Sequence, residues 1–290
     1  MTSSGRPRIA IIPLAGRATR HRPASLATPK GLFPLVDLDG RTKPVIHLML
    51  DEAFHSGIER VCLVTGPGED GPFRRYLDAV RTQDTPPAWP TAPGAISFAV
   101  QPTPEGYGHA VLCARDATAG EPALIMLGDH FYLSVESRRC AAQLLDAFAT
   151  LGASVSAVQR TPEAELHLFG TILGEPHLDH PGAYRVRRII EKPSPDVARA
   201  ELRTPGLADG QYLCWFGLHA MSATIFDVLA NDVAHDRREH GEFQLTGAQA
   251  RLAAREPYYA HEVAGARHDM GDPDAYLAAQ AALTAARNTR

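Results

Sequence analysis

Arg8-Ile-Ala-Ile-Ile-Pro13 runs directly into Leu14-Ala-Gly-Arg-Ala-Thr-Arg20, so a short apolar run feeds a loop of small and basic residues. A run that is apolar on both faces reads as a buried strand of a parallel sheet. In open α/β sheets, ligands gather at the carboxyl ends of such strands. Leu14, Ala15 and Gly16 leave backbone N–H groups free to cradle phosphate. Arg20, and Lys30 in Pro29-Lys-Gly-Leu-Phe-Pro34, add full charges that suit a polyphosphate. The loop is neither GxGxxG nor GxxxxGK[ST], so it is not a dinucleotide fingerprint or a P-loop. Taken by itself it leaves two readings open, a phosphate cradle and an ordinary turn.

Outward from this loop, strand-like and helix-like segments alternate. Pro44–His55 has helical spacing, with Gly57 as its stop. Arg60–Thr65 reads as a second buried strand, Pro72–Val80 as a helix and Ile96–Val100 as a strand. The four prolines in residues 85–94 make that stretch a loop. Gly108–Ala117 reads as a helix, Ala123–Leu127 as a central strand and Ser154–Gln159 as another strand. Ser134–Leu151 reads as a helix capped by Ser134. This order predicts a three-layer α/β fold, doubly wound and Rossmann-like, on a mixed but mainly parallel sheet. After about residue 165 the pattern shifts to strands at Gly170–Leu173, Tyr184–Ile190 and Gln211–Leu218. Helices at Ala223–Ala230 and Gln244–Ala254, a strand at Tyr258–Val263 and a helix at Pro273–Ala285 follow. The expectation is one domain in two halves, residues 1–165 and 166–290.

Composition excludes several classes. The 290 residues are 44% hydrophobic and 21% charged, with a net charge of −4, so no global basic field draws the chain to nucleic acid or anionic membrane. No apolar run reaches the ~18–20 residues of a membrane span. Cys62, Cys113, Cys140 and Cys214 form no CxxC pair, which argues against a zinc ribbon or disulfide scaffold and suits a reducing cytoplasm. The 13 histidines include no HExxH. Residues 1–36 are basic, but Pro7, Pro13 and Pro23 would break an amphipathic targeting helix. Only Lys30, Lys43 and Lys192 are lysines; the other 26 cationic side chains are arginines.

Further segments complete a recognisable series: Val100-Gln-Pro-Thr-Pro-Glu-Gly-Tyr-Gly-His-Ala-Val111, Leu127-Gly-Asp129, Ile190-Glu-Lys-Pro193, Gly241-Glu-Phe-Gln-Leu-Thr246 and His268-Asp-Met-Gly271. With the loop at 14–37, in this order and across essentially the whole chain, they resemble the sugar-1-phosphate nucleotidyltransferases. The closest resemblance is to bacterial UTP–glucose-1-phosphate uridylyltransferases. That resemblance implies the nucleotide-diphospho-sugar transferase fold, with the first half binding nucleotide and the second binding sugar phosphate. It implies a reaction in which a sugar 1-phosphate joins a nucleoside triphosphate, UTP being favoured, and pyrophosphate leaves. The nucleophile is already ionised at neutral pH, so no Ser/His/Asp or Cys/His set is needed. Alignment and charge neutralisation are.

By the same resemblance, Asp129 and Asp269 are the Mg²⁺ ligands, and Arg20 and Lys30 hold the triphosphate. Leu14, Ala15 and Gly16 line the nucleotide site, and Gln101 and Gly106 read the base. Lys192 holds the sugar phosphate, Glu191 takes sugar hydroxyls, and Gly170 and Gly217 admit the sugar to the backbone. On residues alone Asp129 could equally cap a following helix, Asp269 could be a turn residue, and Glu191-Lys192 a surface ion pair. Family members are often homo-oligomers, and that expectation carries over. The chain departs from the family at Ala18 (usually Gly), Gly31 (usually Glu), His130, and His219, which stands for a Tyr beside the sugar. These departures keep open another nucleoside triphosphate or a modified sugar or cyclitol phosphate. A non-catalytic nucleotide-sugar sensor would lack a metal-binding carboxylate or phosphate-binding cation, and none is missing here.

Overall fold

In chain order the elements are β1 (Ile9–Pro13), α1 (Ala24–Ala27), β2 (Pro34–Val36), β3 (Thr42–Pro44), α2 (Val45–His55), β4 (Arg60–Thr65), α3 (Gly71–Arg81), β5 (Ile96–Val100), α4 (Tyr107–Cys113), α5 (Arg115–Thr118), β6 (Ala123–Met126), β7 (His130–Ser134), α6 (Cys140–Leu151), β8 (Ser154–Pro162), β9 (Gly170–Pro176), β10 (Ala183–Glu191), α7 (Pro195–Glu201), β11 (Gln211–Met221), α8 (Thr224–Ala234), α9 (Leu245–Ala253), β12 (Tyr258–Glu262), β13 (Gly265–Asp269) and α10 (Pro273–Asn288). The computed structural model describes residues 5–83, 86–90, 92 and 94–289. Residues 85, 91 and 93 of the proline-rich loop lie outside that set, and the described part of the loop holds no helix or strand.

β1 sets the layering. Its alternation sends Ala10 and Ile12 to one face and Ile9 and Ile11 to the other. Ala10 and Ile12 pack with α2, α3, α6 and α10. Ile9 and Ile11 pack with α4, α8 and α9. All four side chains are at most 1% exposed, so the central strand contributes to both cores. A fully buried Ile is worth roughly 1.5–3 kcal/mol of transfer free energy.

The strand order is β5-β4-β1-β6-β11-β8-β12-β10-β9. β10 and β11 run against the other strands, so most strands share one direction as the alternation predicted. β11 changes neighbour midway. Leu213 and Cys214 pair with β9, whereas Leu218–Met221 pair with β6. Gly217, at φ +86, occupies the irregularity between them, a backbone region that disfavours any side chain.

Several sequence expectations need correction. Ser134 caps no helix: it ends strand β7, and α6 begins at Cys140 after Arg139. The Ser134 hydroxyl instead accepts from Glu136 N at 3.1 Å and closes a local turn. The expected helix over Gly108–Ala117 breaks at Ala114 into α4 and α5. His268 and Asp269 lie in strand β13, which pairs with β7 as a separate two-stranded ribbon. The β2–β3 hairpin, with three residues on each side, and α7, capped by Ser194 and opened by Pro195, also went unread.

Candidate active site

The carboxyl ends of β1 and β6 meet at the site. Gly128 must be glycine, because a Cβ there would fall 1.8 Å from Pro13 O. This close approach sets Asp129 beside the β1 loop. Asp129 caps no helix, since the next element is β7. The register of the ribbon then pairs Asp269 with His130, and Met270 N donates to Asp129 O at 3.0 Å. Side-chain ligand atoms of Asp129, His130 and Asp269 all lie within 4.8 Å of one another. Two carboxylates on one small patch are a hard-oxygen donor set that fits a divalent cation.

Lys30 Nζ lies 2.6 Å from Asp129 Oδ2, and His130 Nδ1 lies 2.8 Å from Oδ1. Burial pushes the Asp129 carboxyl up, but His130 and Lys30 outweigh it and hold the group well below the usual carboxylate range. Asp129 is therefore an anion at neutral pH.

A cleft of about 340 Å³ opens over this group. Ala15, Gly16, Lys30, Gln101, Gly106 and Asp129 line it, which brings most of the expected nucleotide-binding residues together. Leu14 lies just behind, its N–H donating to Val64 O at 2.6 Å. Gln101 is 5% exposed, and its amide donates to Gly106 O at 3.0 Å, which leaves the carbonyl oxygen for a ligand. Arg20 is elsewhere: its side chain is 71% exposed and lies 3.7 Å from Asp272. Arg17 lines the cleft instead.

The residues expected to meet the sugar phosphate form a second cluster. Gly170 opens β9 opposite Glu191 at the end of β10. Glu191 Oε2 accepts from the Thr246 hydroxyl at 2.7 Å. The Lys192 backbone N–H donates to Phe169 O, and Lys192 adopts φ +46, a strained conformation of the kind that collects at functional sites. Gly217 O accepts from Leu127 N and from the Tyr132 hydroxyl, tying this cluster to the turn that carries Asp129. Residues 241–246 bridge the two: Glu242 lines the cleft and Thr246 holds Glu191.

His219 is buried beside Trp215, whose ring packs on Gly170 of the second cluster. It is 4% exposed, edge-on to Trp215, with Nδ1 2.6 Å from Ser156 Oγ and 3.0 Å from Gln249 Nε2. Burial pushes its pKa down to about 3, so the ring is neutral packing at physiological pH. Lys43 pairs with Asp37 at 2.5 Å and Asp39 at 2.8 Å, apart from the cleft.

Sequence reasoning passed over Tyr107. It lines the cleft, and its hydroxyl is buried without a partner among the described residues. Burial first, and then Asp129, push its pKa up, so it stays protonated as a donor. An unpaired polar atom in a binding motif was the available signal, and only packing reveals it.

The nucleotidyl transferase family profile matches residues 9–286. A UTP–glucose-1-phosphate uridylyltransferase of Bacillus subtilis, YngB, is 32% identical over 276 residues, covering 91% of this chain and 85% of the relative. A UTP–glucose-1-phosphate uridylyltransferase of Staphylococcus epidermidis is 31% identical over 275 residues, covering 91% and 87%. Among solved structures, a UDP-glucose pyrophosphorylase complexed with UDP-glucose superposes with a TM-score of 0.78 at 23% identity, covering 96% of this chain and 99% of the other. UTP-bound UGPase from Acinetobacter baumannii gives 0.73 at 24% identity, with 95% and 93% covered. Those two likenesses speak to the fold, which is that of the UDP-glucose pyrophosphorylases. The profile match and the relatives at more than 30% identity together make the chain a member of the nucleotidyl transferase family.

Proposed function

We propose that this chain transfers the uridylyl group of UTP to glucose 1-phosphate, forming UDP-glucose and releasing pyrophosphate. The observation that carries it is the meeting of Asp129, Asp269 and Lys30 at the strand ends, under the Ala15-Gly16 backbone and beside Gln101. In the transfer, an oxygen of the sugar phosphate bonds to the α-phosphorus, and the bond from that phosphorus to the bridging oxygen breaks. No proton needs to move. The site must bring two anions together and hold the reacting oxygens in line.

Lys30 offers a compact charge to the triphosphate, and Lys192 offers one to the sugar phosphate. Gln101 and the backbone at Gly106 meet the base edge, and Glu191 accepts sugar hydroxyls. Asp129 and Asp269 would hold Mg²⁺, which would neutralise triphosphate charge. His130, with Nδ1 2.8 Å from Asp129 Oδ1 and 4.0 Å from Asp269 Oδ1, would position the two carboxylates.

The test crosses UTP, dTTP, GTP, CTP and ATP with a panel of sugar and cyclitol 1-phosphates and reads pyrophosphate release. UTP with glucose 1-phosphate is expected to give the highest kcat/KM; a better pair would overturn the substrate assignment. In Asp129→Asn, turnover should fall by at least about 10²-fold, since both the ligand charge and the Lys30 partner are lost. Near-normal turnover by that variant would remove the metal assignment.

A further inference from the structure

Arg267 lies on β13, two residues before Asp269, and is only partly exposed. Its guanidinium carbon sits 3.6 Å from the centroid of the Phe169 ring. Nη1 donates to Trp215 O at 2.7 Å. Among the described residues no carboxylate comes within ion-pair distance of it, and no other hydrogen bond uses Nε or Nη2. Among the described residues, the other arginines without a carboxylate partner are exposed, apart from Arg185, which stacks on Tyr259 at the far strands of the sheet. Glu165 and Asp269 act on the Arg267 charge only from beyond ion-pair distance, so burial outweighs them, and a charge drawn this far out of water is costly until a closer anion meets it.

The two groups that hold Arg267 define where it stands. Phe169 immediately precedes Gly170, and its carbonyl receives the Lys192 backbone N–H. Trp215 precedes Gly217 by two residues on β11. The guanidinium is thus fixed between the two glycine-bearing segments of the second cluster and is anchored on the same residue that anchors Lys192. A guanidinium stacked on an aromatic ring keeps its in-plane N–H edges for hydrogen bonding.

We propose that Arg267 supplies a second positive charge to the sugar-phosphate half of the site and binds the anionic group of a sugar 1-phosphate together with Lys192. The inference rests on the nucleotidyl-transfer reading above, since it takes the anion to be that of the co-substrate. The free Nε–Nη2 edge donates to two phosphate oxygens as a fork, whereas Lys192 supplies a point charge. The guanidinium orients the phosphate, and the ammonium neutralises it.

The test compares wild type, Arg267→Gln and Arg267→Lys, with glucose 1-phosphate varied at saturating UTP and the reverse, alongside thermal melts. For Arg267→Gln, KM for glucose 1-phosphate should rise about tenfold or more and KM for UTP should change less than about twofold, as for loss of one charge-assisted contact. Arg267→Lys keeps the charge without the fork and should fall between. If Arg267→Gln fails to fold, the lysine variant carries the same comparison of the two KM values. An unchanged KM for glucose 1-phosphate, or equal rises in both KM values, overturns the proposal and leaves Arg267 as a prop for the Trp215 carbonyl. A wild-type enzyme that releases no pyrophosphate with any pair in the panel would instead bring down the nucleotidyl-transfer reading itself.

Discussion

Ala18 holds φ 45 and ψ 42, a left-handed conformation that glycine adopts more easily than alanine. The loop therefore carries strain, since a Cβ in that region costs roughly 1–2 kcal/mol. Ala18→Gly should relieve about 1 kcal/mol of this, offset in part by the greater freedom of glycine in the unfolded chain. A urea melt should show the variant equal to or more stable than wild type; a clear loss would mean that the methyl group packs usefully. His219 bears on stability through protonation. Its ring stays neutral in the fold down to about pH 3, whereas the unfolded chain takes up a proton near its ordinary value of 6.5. Protons then favour the unfolded state, so stability drops as pH falls from about 6.5 toward 3, by up to about 1.4 kcal/mol per pH unit. His219→Gln cannot titrate and should have a flatter profile over that window. Identical pH slopes for the two proteins would refute this role.

At the scale of elements, one buried carboxylate joins two helices. Glu52, on α2, is 3% exposed and accepts from Ala141 N at 2.7 Å, in the first turn of α6. Arg139 lies 3.2 Å from its other oxygen. Burial pushes the Glu52 carboxyl up, and the Ala141 N–H and Arg139 pull against it. The residue before α6 has no side-chain cap of its own, so Glu52 does that work from a distance. Glu52→Ala should cost about 2–4 kcal/mol by stranding the N–H and the arginine, and Glu52→Gln distinctly less. Chemical denaturation would separate them, and equal losses would point to lost packing alone. This cap was not legible, because a local pattern cannot show a partner 89 residues away. The β7–β13 ribbon hid for another reason. Gly265-Ala-Arg-His-Asp269 has no apolar alternation to mark it, and its pairing is long-range. By contrast, Arg60–Thr65 and Ile96–Val100 were legible to the residue: β4 is buried and β5 is a half-buried edge strand, and both are written as short, mostly apolar runs with clear bounds.

Across the whole molecule, the resemblance in sequence pointed to the clustering that folding achieves in the cleft. Lys30, Gln101 with Gly106, and Asp129 come from three segments and line one space. What the motifs could not convey was orientation. Arg20 lies in its motif but points to Asp272, Arg17 takes the cleft wall, and His219 turns into the core. Side-chain direction at such positions is set by packing from distant strands, which spacing does not record.

The midway change of neighbour along β11 has a consequence for dissection. Residues 1–165 supply β6 and β8, yet β11 lies between them in the sheet. A chain cut at residue 165 would leave β8 with no neighbour on either side, because its other partner, β12, is also gone. Such a piece would present long unpaired strand edges, a known route to aggregation. Residues 1–165 and 166–290 expressed separately should each lack a cooperative thermal transition, and co-expression should restore one. An independently folding N-terminal piece, seen as dispersed amide signals in NMR, would contradict this. The boundary at residue 165 therefore divides the sequence but not the sheet, whose strands from either side of it interleave.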